Sequence, residues 1–228
     1  DTEFAFEIGP GIALEAGCGG LELRNDLPSP LFDGLTAGEA GAQVRACGMR
    51  LLALAEVKAF NDWSDARARE AQRLIDTARV AGAGAVALIP RNDGRGLGNG
   101  ERQANLRVAL RELAPMLREA GLTGLVEPLG FDTCALRHKA EAVDAITALG
   151  AADTLAVVHD TFHHHLAGGG DVFPAETGIV HISGVVDPVP AMSEMTDADR
   201  VLVDGADRLG NVEQIEALMA GGYDGPLS

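Results

Sequence analysis

Leu155-Ala156-Val157-Val158-His159-Asp160-Thr161-Phe162-His163-His164-His165 is the stretch whose reading decides the fold. A short apolar run stops at an aspartate, and a histidine follows three residues later. Two neighbouring runs end the same way: Thr123-Gly124-Leu125-Val126 meets Glu127, and Gly178-Ile179-Val180 meets His181. Two carboxylates and an imidazole at the tips of successive strands form a ligand set suited to a divalent metal. Parallel α/β folds place their chemistry at the carboxyl ends of their strands, so the pattern speaks to fold and site together.

Outward from that stretch, strand-like and helix-like segments alternate. Strands are predicted at Leu21-Glu22-Leu23-Arg24, Leu51 to Val57 and Ala85 to Ile89, then at 123–127, 154–160 and 178–182. Helical periodicity covers 64–81, 101–120, 138–149 and 211–220. Gly121 and Gly150 stand at C-cap positions, Asn211 reads as an N-cap, and Pro115 is expected to kink its helix. Six β-α units without a break in composition indicate one parallel sheet. A closed (β/α)8 barrel is preferred to an open sheet, because polar clusters end the other strands too. These are Arg24-Asn25-Asp26, Asn61-Asp62 and Arg91-Asn92-Asp93, and only a closed ring gathers all of those ends at one mouth.

The strand count falls short of eight. A helical stretch made irregular by Gly9-Pro10-Gly11 opens the chain, and Gly225-Pro226-Leu227-Ser228 reads as the start of another strand. The expectation is a single barrel domain over residues 1–228, incomplete, without strand one and most of strand eight with its helix. Two long loops are expected at the mouth: the glycine-rich 90–100, which fits no phosphate-binding motif, and 183–210.

The bulk composition narrows the function. With 228 residues, 46% of them hydrophobic, the chain can bury a full core, built from Ala, Leu, Val and Ile because aromatics reach only 4%. A formal net charge of −16 repels phosphate backbones, so nucleic acid is excluded as the expected partner, and anionic membranes are disfavoured. Cys18, Cys47 and Cys134 form no disulfide framework, which points to a reducing, cytoplasmic compartment. Cys134, seven residues past Glu127, reads as a buried thiol.

Strand alternation refines the candidate site. If Asp160 faces the cleft, His159 faces away and packs among helices, while His163 reaches the cleft from the following loop. His164 and His165 read as solvent-facing or capping. Arg200 has two equal readings, a contact to a substrate oxygen or a surface ion pair with Asp197 or Asp199. Glu127, Asp160 and His181 are the candidate metal ligands, and oxygen-rich ligation leans to Mn2+ or Mg2+, with Co2+ and Zn2+ also suited. Such an ion polarises a hydroxyl-carbonyl pair, so a carboxylate beside it can take a proton from the carbon next to the carbonyl.

At these residues the chain resembles the xylose-isomerase-like TIM barrels, which include sugar isomerases, epimerases and inositol-catabolic enzymes, with the strongest likeness to the 2-keto-myo-inositol (inosose) isomerases. The resemblance rests on Val126-Glu127-Pro128-Leu129-Gly130, His159 to His165, Val180-His181-Ile182, Thr196 to Val201 and Gly222 to Ser228, and covers about residues 20–228. It implies Glu127, Asp160 and His181 as metal ligands, with Mn2+ the expected ion. It also implies Glu127 and His163 as catalytic, with His163 and Arg200 binding the substrate. A fourth ligand, a glutamate on strand eight, belongs to the family and would fall beyond Ser228. The implied activity is isomerisation of a keto-inositol or similar keto-polyol through an enediolate. The alternatives are an epimerase or inosose dehydratase on the same scaffold, or a non-catalytic polyol-binding barrel. A barrel nuclease shares the fold, and the acidic charge counts against it. A homo-oligomer is expected.

Overall fold

The structure, a computed structural model, describes residues 9–228. The part of the opening segment before Gly9 lies outside the described residues. Six strands run β1 (Gly20–Arg24), β2 (Arg50–Lys58), β3 (Ala85–Ile89), β4 (Thr123–Val126), β5 (Leu155–Asp160) and β6 (Thr177–His181). They lie side by side in chain order and every neighbouring pair is parallel. Helices α1 (Gly9–Glu15), α2 (Ala37–Ala46), α3 (Asp65–Ala81), α4 (Asn99–Ala120), α5 (Lys139–Leu149), α6 (Thr161–Leu166) and α7 (Asn211–Ala220) occupy the connections. The architecture is an incomplete (β/α)8 barrel, as the sequence indicates. After α7 the chain returns beside β6, where Leu227 forms a parallel bridge with Val180.

Local chemistry sets the helix limits. Ser64 accepts the Arg67 N–H at 3.2 Å to start α3, and Thr36 and Glu39 form a reciprocal capping box at α2. Gly82, Gly121 and Gly150 end α3, α4 and α5 in left-handed conformation. Helix α4 runs unbroken through Pro115. Asn211 is the first helical residue of α7 rather than its cap, which is Gly210. The Asn211 side chain is buried instead, with Nδ2 donating to the Ser183 carbonyl at 2.9 Å and to Asp207 Oδ2 at 3.0 Å. The propensity that suits asparagine to a cap is spent on pinning the long loop after β6.

Two apolar layers follow from strand alternation. The outer one packs Leu54, Ile75, Leu88, Leu106, Leu110 and Leu117 between sheet and helices. Each such side chain contributes roughly 1.5–3 kcal/mol through burial. The inner one joins Ala53, Ala85, Leu125, Val158 and Ile179, one from each of β2 to β6, and fills the barrel interior. Two residues further along each strand stand Ala55, Ala87, Glu127, Asp160 and His181, which line the mouth. The apolar plug is therefore the floor of the polar site.

Candidate functional site

The mouth holds a cleft of about 720 Å3, and the described side chains of Glu127, Asp160, His163, His181 and Arg200 all line it. Each arrives by a different local device. Glu127 is the first residue past β4, and its N–H is held by the Leu88 carbonyl at 3.1 Å, which extends the strand register by one. Asp160 ends β5 and caps α6: its Oδ1 accepts from the backbone N–H of Phe162 at 2.9 Å and of His163 at 3.1 Å. No residue separates strand from helix here, so His163 sits one turn from Asp160 at a fixed angle. Gly130 lets α6 approach; a Cβ there would fall 2.3 Å from the His163 carbonyl oxygen and 2.6 Å from Leu166 Cβ. His181 ends β6.

The charges interlock. Arg200 Nη2 donates to Asp160 Oδ2 at 2.6 Å, Nη1 donates to Asp197 at 3.2 Å, and Nε donates to Ser183 Oγ at 2.9 Å. Arg200 thus forms the surface pair with Asp197, and through its bond to Asp160 it also lines the cleft. Its guanidinium carbon lies 5.1 Å from the centre of the Phe162 ring. His181 Nδ1 lies 3.6 Å from Glu127 Oε1 and 4.0 Å from Asp160 Oδ2, and Nε2 lies 3.1 Å from Glu22 Oε2.

Burial alone would raise the Asp160 carboxyl, yet the charges of His163, Arg200 and His181 hold it below the usual carboxylate range. Burial opposes charge on His181 as well. Hydrogen bonds and attraction from Glu127 and Glu22 prevail and push it up to about 10.

Ligand atoms of Glu127, Asp160 and His163 all lie within 4.8 Å of one another, a group able to hold a metal ion. His163 is expected from the sequence as a substrate contact; geometrically it stands as close to the two carboxylates as a ligand would. Its Nδ1 is buried and has no hydrogen-bond partner. Two carboxylates and an imidazole this close together fit an oxygen-and-nitrogen site for a divalent ion.

Of the other histidines, His159 follows the alternation rule. His159 is fully buried, with Nε2 on Gln214 Oε1 at 2.9 Å and Nδ1 against Lys139 Nζ. His164 packs half-buried on the His159 ring at 4.8 Å between centroids, so it is not the solvent-facing residue expected. Cys134 is buried with Sγ against the Leu136 carbonyl, and burial pushes its thiol up to about 11. Two cleft carboxylates escape the sequence reading, Glu22 and Glu56, whereas Asn92 lies in the cleft as its place in a strand-end cluster suggests. For Glu22, two-residue alternation with Arg24 was the available signal.

The family comparison decides the placement, because it spans the strands and the loops that carry these side chains: residues 11–228 match the family described as xylose isomerase-like TIM barrel. The chain belongs to the xylose isomerase-like TIM barrel family. Among solved structures of this type, it is similar to a xylose isomerase domain containing protein from Salmonella typhimurium LT2. The two share 28% identity over 99% of this chain and 84% of that one, with a TM-score of 0.91. It shares the fold of the IolI protein, solved with a zinc atom, at 18% identity over 100% and 84% of the two chains and a TM-score of 0.87. It also shares the fold of D-psicose 3-epimerase from Clostridium cellulolyticum H10, solved with D-tagatose, at 16% identity over 99% and 78% and a TM-score of 0.73. Comparison with curated proteins finds no match. No helix among the described residues is long and apolar enough to cross a membrane.

Proposed function

We propose that the chain is a divalent-metal-dependent isomerase of a keto-inositol or a similar keto-polyol. The observation that carries this reading is the convergence of Glu127, Asp160, His163 and His181 on one cleft floored by an apolar plug, with the His163 Nδ1 left without a partner. Glu127, Asp160 and His181 are the proposed metal ligands, and Mn2+ is the expected ion. The zinc atom in the IolI structure supports a divalent ion in this fold.

When bound, the ion supplies Lewis acidity toward a carbonyl oxygen. The chain's own groups do the rest. Glu127 takes the proton from the hydroxyl-bearing carbon next to the carbonyl, exchanges it with water in the cleft and delivers a proton to the former carbonyl carbon, while the hydroxyl proton of the first carbon passes to the old carbonyl oxygen, so that the keto group shifts by one carbon. His163 hydrogen-bonds the substrate oxygen on which negative charge develops. Arg200, already anchored by Asp160, Asp197 and Ser183, presents a fixed cation to a hydroxyl or carbonyl. The plug beneath excludes water from one side, which strengthens each of these contacts.

The test is turnover of an inosose in D2O with Mn2+ supplied. The expected result is a shifted keto group with deuterium at the carbon next to it. A shifted keto group without any solvent deuterium would overturn the proton-abstraction step, and inverted stereochemistry with the keto group in place would remove the isomerase reading and identify an epimerase.

A further inference from the structure

We propose that Glu22 is a positioning residue of the metal centre, holding His181 in the tautomer and orientation that present Nδ1 to the ion. This rests on the metal-site reading above. Glu22 stands on β1 and His181 on β6, 159 residues apart and at opposite limits of the six-stranded sheet. The Nε2–H of His181 donates to Glu22 Oε2 at 3.1 Å. The other ring nitrogen faces inward, 3.6 Å from Glu127 Oε1 and 4.0 Å from Asp160 Oδ2. An imidazole has two nitrogens, and a carboxylate fixed on one leaves the lone pair of the other free for a metal.

The geometry of Glu22 suits that task. Its side chain is mostly buried, so the contact is shielded from solvent. The His181 ring is held on its outer side only by Glu22 among its described hydrogen-bond partners. Removal of that partner frees rotation about the side chain and allows the tautomer that places a hydrogen on Nδ1. Glu22 touches no proposed substrate atom; it acts through His181.

The experiment is Zn2+ binding to the chain by titration calorimetry, alongside 15N NMR of the His181 ring and circular dichroism. Glu22→Ala is expected to weaken Zn2+ binding ten- to a hundredfold with helix content unchanged. Glu22→Gln retains an acceptor without the charge and is expected to lose less than Glu22→Ala. In the Zn2+-bound chain the NMR spectrum should show Nδ1 ligated and Nε2 protonated. Zn2+ binding of Glu22→Ala and Glu22→Gln equal to that of the unaltered chain, with stability alone reduced, would make Glu22 a sheet-closing ion pair and overturn the inference. An unaltered chain that takes up no Zn2+ would overturn the metal-site reading itself, and the inference with it.

Discussion

Arg200 Nη2 lies 2.6 Å from Asp160 Oδ2, so a loop guanidinium neutralises a carboxylate that is 3% exposed at the end of β5. Breaking a buried pair by removing one partner leaves the other charge uncompensated, at a cost of about 3–5 kcal/mol in fully buried cases. Arg200 is partly exposed, so Arg200→Ala should cost less, roughly 2–3 kcal/mol. A divalent ion at the same carboxylate would replace the lost charge. Urea denaturation with and without Mn2+ should therefore show a larger metal-dependent gain for the variant than for the unaltered chain.

Asp160→Asn separates ligation from folding. Asparagine caps helices as well as aspartate does, so α6 should persist. The variant loses the ionised oxygen that a metal requires. Elemental analysis after Mn2+ loading and gel filtration should find the metal absent, while circular dichroism stays unchanged. His181→Ala should give the same metal loss.

The pH dependence of the metal-free chain should carry two opposed contributions. His181 sits at about 10 in the folded chain against an ordinary 6.5, because Glu127 and Glu22 outweigh burial. That stabilisation is complete below about pH 6.5 and disappears as pH rises through about 10. Lys139 is pushed down by burial to about 7 from 10.5, so its burdened charged form destabilises the fold as pH falls from 10.5 toward 7. Lys139→Met removes the second contribution. Between about pH 7 and 9 its stability should fall more steeply with rising pH than that of the unaltered chain, in urea titrations at fixed ionic strength.

Gly130→Ala tests the approach of α6. The added Cβ meets the His163 backbone oxygen at 2.3 Å and the Ala167 nitrogen at 2.9 Å, neither of which can rotate away. Overpacking of this kind costs on the order of 1–3 kcal/mol. The shift also moves His163, so the Tm should drop together with a loss in Mn2+ affinity, whereas Gly100→Ala, which has open space around it, should leave Mn2+ affinity unchanged.

The strands and the site were legible to different degrees. All six strands follow from apolar runs bounded by glycine and polar residues, and Glu127, Asp160 and His181 stand out because chemistry-bearing residues rarely end apolar runs in succession. His159 was correctly turned away by two-residue alternation alone. Alternation with Arg24 could set Glu22 on the mouth face, but its contact with His181 was not legible, since an isolated strand glutamate carries no sign of a partner on the far limit of the sheet. Arg200 stayed ambiguous for a related reason: its contact with Asp160 depends on how the 183–210 loop folds back, and that path is fixed by the buried Asn211, Ser183 and Asp207 contacts rather than by periodicity. His164 was misplaced because the ring of His159 offers a stacking surface that no linear pattern reveals.

The junction of β5 and α6 has no slack: Asp160 is both the last strand residue and the helix cap. An insertion or deletion at that point would unseat a proposed ligand and a helix in one stroke. Changes of length at the mouth are thereby channelled to the rim after β3, where the glycine-rich 90–100 loop carries none of the proposed ligands.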